Sequence, residues 1–123
     1  MSQRLSFCVS LLVLTLSAFP VSAHHGWAGN EDKTSDLTGV VVTGVSFAGP
    51  HATMKIRVND QVWDITLAPP AAAERAGLKE GIIPVGATVT VHGNRNRDPK
   101  RFEMKCVRVI WNGKTFDVYP GRA

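Results

Sequence analysis

The stretch ATMKIRVNDQVWDITL, residues 52–67, decides the fold. Ala52, Met54, Ile56 and Val58 fall on one side of an extended chain, while Thr53, Lys55 and Arg57 fall on the other. That two-residue period belongs to a strand with one face buried and the other in water. Asn59-Asp60 interrupts it in the two-residue manner that closes a hairpin, and the chain returns with Trp63, Ile65 and Leu67 on its apolar face.

The flanking sequence extends this hairpin into a sheet. Residues 37–47 are rich in Val and Thr, and Gly39 and Gly44 mark a long strand bent or bulged at those points, until Gly49-Pro50 ends it. On the other side, Pro69 and Pro70 forbid a strand but fit the first turn of a helix, and residues 71–78 supply good helix formers before Gly81. Val89 and Val91 then alternate with Thr88, Thr90 and His92, which restores the strand period. Residues 94–100 form a charged loop, residues 102–111 a further strand, and Asn112-Gly113 is the strongest short hairpin signal in the chain, leading into residues 114–119. Three strands, one short helix, then two strands and a terminal one is the order of an OB-type barrel. The expected fold is therefore mostly β: a small OB-like, partly open barrel of five to six strands with one short helix between strands 3 and 4. The glycine-marked first strand favours this over a small sandwich or an unclosed meander, because it fits a strand that curls between two sheets.

The chain ahead of this domain reads as a leader. Arg4 is followed by an apolar run over residues 5–19, and Val21-Ser22-Ala23 places small residues where a signal peptidase cuts. Residues 1–23 are thus expected to be a signal peptide cleaved after Ala23, with the product periplasmic. The apolar run is short for a spanning helix and ends at Pro20, so no stable membrane anchor is expected. Cys8 follows bulky Phe7 inside the run, a poor context for a lipoprotein. Residues 24–35 are polar and without period, which makes them a mobile N-terminal arm, and residues 36–123 the barrel domain.

Removal of the leader takes Cys8 with it and leaves Cys106 alone, so no intramolecular disulfide is expected. Cys106 and Met104 lie in an apolar segment and read as core, although both are soft donors in principle. The net charge of +4 becomes +3, since only Arg4 is lost among charged residues. A few of the remaining positives cluster between Arg95 and Lys105, either a solvated hairpin face or a patch for an anionic ligand.

Catalysis finds no support in the motifs. There is no Gly-x-Ser-x-Gly elbow, phosphate loop, HExxH or cysteine pair, and the carboxylates are scattered, with Asp64 and Glu103 in surface positions. The protein is expected not to be an enzyme. Nucleic acid is not an expected partner either: the chain is exported, its aromatics are few, and Trp63, Phe102 and Trp111 sit where the strand pattern wants core.

The histidines are the informative chemistry. Cleavage after Ala23 makes His24 the first residue, with a free α-amine beside its own imidazole. That pair chelates one metal ion, and a further imidazole completes a three-nitrogen site of the kind that favours Cu(II). Both protons leave readily near neutral pH, with ordinary pKa values of about 7.7–8.0 and 6.5. His51, at the corner after Gly49-Pro50, is the expected third nitrogen; His25 is a further ligand or a neighbour; His92 shares a solvated face with Thr88 and Thr90. The plain alternative is that His24 and His25 belong to a flexible arm with no ligand.

A resemblance emerges from these residues taken together. Ala23-His24-His25, Leu37-Thr38-Gly39-Val40, Pro50-His51, Trp63, Arg75-Ala76-Gly77, Val85-Gly86, Val89-Thr90-Val91 and Gly93 resemble the bacterial secreted family catalogued as domain of unknown function 6152. The resemblance spans nearly all of the chain after Ala23. It implies small, barrel-like periplasmic proteins without an assigned activity, and it brings His24, His25 and His51 into the family's Ala-His-His start and Pro-His corner. Gly49 departs from the Asn common before that corner, and His92 lies outside the pattern.

The reading is a periplasmic binding protein holding copper or another divalent ion through His24, His25 and His51. The alternative is an OB-type module, free of metal, that binds an anionic glycan or an envelope protein through Arg95, Arg97, Lys100 and Arg101.

Overall fold

The computed structural model of the protein describes residues 27–122. The cleavage site, His24 and His25 lie outside them. Six strands form one sheet: β1 (Ser35–Ser46), β2 (Thr53–Val58), β3 (Gln61–Thr66), β4 (Thr88–Arg95), β5 (Glu103–Trp111) and β6 (Lys114–Asp117), with a helix α1 (Pro70–Arg75) between β3 and β4. Neighbours run β3-β2-β1-β4-β5-β6, and β3 also pairs with β5. That last pairing is parallel and short, with Asp64, Ile65 and Thr66 opposite Glu103, Met104 and Lys105. It closes β1, β2, β3, β5 and β4 into a barrel of OB topology. β6 lies outside the ring, against the later half of β5, from Arg108 opposite Asp117 to Trp111 opposite Lys114.

The alternation that reveals β2 and β3 is the one that builds the core. Met54, Ile56, Trp63 and Ile65 are buried, and Val89, Val91, Met104, Cys106 and Val109 meet them from the other strands. Burial of each large aliphatic side chain contributes roughly 1.5–3 kcal/mol. The intervening residues face water, where Lys55 and Asp64 pair at 2.8 Å across β2 and β3. Asn59 and Asn112 adopt φ of 54° and 51°, the left-handed conformation that two-residue hairpins require and that Asn tolerates.

β1 serves both halves of the barrel. Val40 is paired with Arg57 of β2 and with Thr88 of β4, and the β1–β2 register shifts twice between Val41 and Ser46. The bulges therefore lie around Gly44, while Gly39 has a different job. A Cβ there would run into the Arg57 carbonyl, and a Cβ at Gly93 of β4 into the Lys105 carbonyl. Closely approaching backbones of this kind admit only glycine.

Pro70 opens α1, whose Ala73 is buried. Gly77, at φ 98°, ends it: its N–H donates to the Glu74 carbonyl at 2.9 Å and that of Leu78 to the Ala73 carbonyl at 3.0 Å. Leu78 and Ile83 then plug the barrel.

Two sequence expectations are corrected. Residues 27–34, which the sequence reading puts in an arm without regular contacts, hydrogen-bond along β4. Glu31 N–H donates to the Arg95 carbonyl at 2.7 Å, Asn30 Nδ2 to the Asn94 carbonyl at 2.8 Å, and Asn94 Nδ2 to the Glu31 carbonyl at 2.9 Å. Asn94 is buried, and an amide there needs these partners. Phe102 and Trp111 are not full core residues: Phe102 stays 38% exposed, edge-on to Trp63 at 5.4 Å, and Trp111 is half-buried.

Candidate functional site

The β1–β2 loop delivers His51 to one end of the barrel. The following Ala52 is wholly buried, with its N–H donating to the Ala68 carbonyl at 2.9 Å and its carbonyl accepting from Leu67 at 2.8 Å. His51 is thus anchored beside the end of β3. Thr66 from β3, Glu103 and Lys105 from β5, Asn96 from the end of β4 and Asn30 from the docked N-terminal segment complete a cleft of about 270 Å³. Its position, between the β1–β2 and β4–β5 loops, is where OB barrels bind their ligands.

Lys105 dominates the electrostatics. β5 is covered on both sides at this point, so Met104 enters the core while the neighbouring Lys105 turns outward beneath Trp27, and both are buried. Its Nζ lies 4.7 Å from the centre of the Trp27 ring and 5.9 Å from that of Tyr119. Trp27 and Tyr119 pack edge to face at 5.2 Å, and the Arg122 guanidinium lies 3.7 Å from the Trp27 ring centre. Among the described residues no carboxylate forms an ion pair with Lys105 or Arg122. Glu103, in the same cleft, accepts instead from Asn96 Nδ2 at 3.0 Å.

Burial, and then the charge of Arg122, lower the Lys105 pKa from its ordinary value. Burial, and then the charge of Lys105, lower that of His51. The His51 ring therefore stays neutral to lower pH than an exposed histidine, and neutral imidazole is the form that ligates metal.

Of the sequence-derived site residues, His51 lies in the cleft, and His24 and His25 fall outside the described residues. His92 is elsewhere, on the outer face of β4, with Nδ1 2.6 Å from Asp36 Oδ1. The register places it in a charged row, Asp36, His92, Arg108, Asp117, across four strands, closed by Arg108 Nε donating to Asp117 Oδ1 at 2.8 Å. Cys106 is fully buried, and its thiol donates to the Arg108 carbonyl at 3.0 Å. Among the described residues no group of three or more His, Cys, Asp or Glu side chains is gathered as a metal site. The basic loop is partly engaged: Arg97 pairs with Asp32 at 3.1 Å, and Arg95 lies 4.6 Å over the Trp63 ring. Sequence reasoning includes Lys105 only as the end of a basic cluster and does not bring Trp27, Tyr119 or Arg122 to it. The one local signal was an isolated tryptophan in an otherwise polar segment.

Closed barrel and loop-flanked cleft define the class of the protein, an OB-type β-barrel. The chain belongs to the family of unknown function DUF6152, whose model matches residues 12–105. No curated protein matches it. Among solved structures it is similar to the ZRD-deleted mutant of TiaS in complex with agmatine, with a TM-score of 0.52 and 11% identity over 70% of this chain. The match spans 26% of the TiaS chain and is a likeness of fold.

Proposed function

We propose that this protein is a periplasmic binding protein, not an enzyme, that holds copper or a similar divalent ion between its processed N-terminus and His51. In this reading the ligands are the α-amine and ring of His24 and the ring of His51, with His25 beside them. The observation that carries it is the anchoring of Trp27 over Lys105, a residue that shares its cleft with His51. Only two residues, His25 and Gly26, separate His24 from Trp27, a reach of at most about 10–11 Å over the three steps when extended. In this reading that short reach brings the new N-terminus to the His51 corner. The lowered pKa of His51 helps further, because its ring need not lose a proton to bind.

The reading is tested by Cu(II) titration, followed by calorimetry and EPR, of the chain beginning at His24, a chain carrying one extra N-terminal alanine, and His51→Ala. The expected result is a nitrogen-rich EPR signature that both alterations change, with weaker binding in each. Equal affinity in the extended chain removes His24 from the site, and equal affinity in His51→Ala removes His51.

A further inference from the structure

We infer that the Lys105 end of the cleft is a binding site for an oxyanion, a carboxylate or phosphate group held by the Lys105 ammonium with Arg122 beside it. This site does not rest on the metal reading.

Lys105 is 7% exposed as a residue, and among the described residues its ammonium keeps contact with solvent, has no ion-pair partner and packs against the rings of Trp27 and Tyr119. Taking an ammonium out of water is costly unless an opposite charge meets it. Cation–π contact offsets part of that cost. Arg122 adds to it, since its charge lies near enough to disfavour the charged lysine. Glu103, the one carboxylate in the cleft wall, is engaged by Asn96. Lys105 belongs to the cleft wall and Arg122 lies against the same Trp27 ring that Lys105 meets, so two positive charges gather about one aromatic pair beside the cleft. An oxyanion seated there accepts from Nζ, neutralises the repulsion between Lys105 and Arg122, and leaves both aromatic contacts intact. Lysine recognises phosphate and carboxylate alike as a point charge, so the chemistry fixes the charge and the acceptor oxygens of the ligand.

The test titrates inorganic phosphate and, separately, acetate into the protein with a chelator present and chloride held constant, reading the indole N–H of Trp27 and the amide of Lys105 by heteronuclear NMR. Saturable shifts at both probes with at least one anion are expected, and the arm that saturates identifies the group. Lys105→Gln should weaken that binding about tenfold or more, as the loss of a charge-assisted hydrogen bond does. Arg122→Gln, at an exposed position that does not endanger folding, should weaken it as well. Absence of saturation with both anions, or unchanged affinity in Lys105→Gln or in Arg122→Gln, overturns the proposal. Because copper is excluded, failure here is independent of failure of the metal site.

Discussion

The ammonium of Lys105 sits 4.7 Å from the ring centre of Trp27, so a residue from the start of the described chain covers a charge on the fifth strand. That contact holds Trp27 against a residue of the cleft wall.

Removing the aromatic cover should therefore cost stability. Trp27→Ala loses the Tyr119 edge contact and the cation–π contacts to Lys105 and Arg122. An expected loss of about 2 kcal/mol follows from the usual worth of such pairs. Urea unfolding measures it, and hydrogen exchange should show faster exchange at the Asn30 and Glu31 amides than in the parent.

Stability should also fall with acid in a way that depends on His51. Its folded-state pKa lies below its ordinary 6.5. As the pH drops through 6.5 the unfolded chain takes up the proton first, and the folded state loses ground until the lowered pKa is passed. Above 6.5 this contribution is fully present. Urea midpoints between pH 7.5 and 5 should decline less steeply in His51→Gln than in the parent, and parallel declines would refute the assignment.

The two kinds of glycine should separate cleanly. Gly39→Ala and Gly93→Ala each drive a methyl into a backbone carbonyl and are expected to cost roughly 3 kcal/mol. Gly44→Ala meets the Ile83 carbonyl at an ordinary 3.7 Å and should stay within about 0.5 kcal/mol of the parent. Thermal unfolding of the three variants checks the ranking.

Cys106 should be silent in the folded protein. Burial pushes its thiol up to about 12, even though hydrogen bonding to the backbone at Arg108 and His92 pulls the other way. In the chain beginning at His24, iodoacetamide at pH 8 should modify Cys106 only as fast as the barrel unfolds. Labelling that rises with urea in step with circular dichroism is the expected result; rapid labelling in buffer contradicts the packing.

The barrel was legible in the sequence because its signals are local. Alternation at Met54, Ile56, Trp63 and Ile65, the Asn112-Gly113 turn and the Pro69-Pro70 helix start each act within a few residues. The closing pair of β3 and β5 was implied only by the OB order, and the shift that places Arg108 opposite His92 but Cys106 opposite Gly93 left no local mark. For the same reason the burial of Lys105 is not legible in the sequence: Met104, Lys105, Cys106 and Val107 are buried in succession, which a two-residue period does not anticipate. His51 was found because a Pro-His corner is conspicuous. Its neighbours were not, since Trp27 and Tyr119 meet across 92 positions.

The shared wall of Trp27 and Tyr119 has a temporal meaning as well. A growing or truncated chain that lacks the final strand and turn still carries His51 and Trp27, but it lacks Tyr119 and Arg122, the two side chains that hold the Trp27 ring from the other end of the sequence. The aromatic pair beside His51 is thus a property of the finished molecule alone, and under the proposed function occupancy would report that the polypeptide has been folded to its last turn.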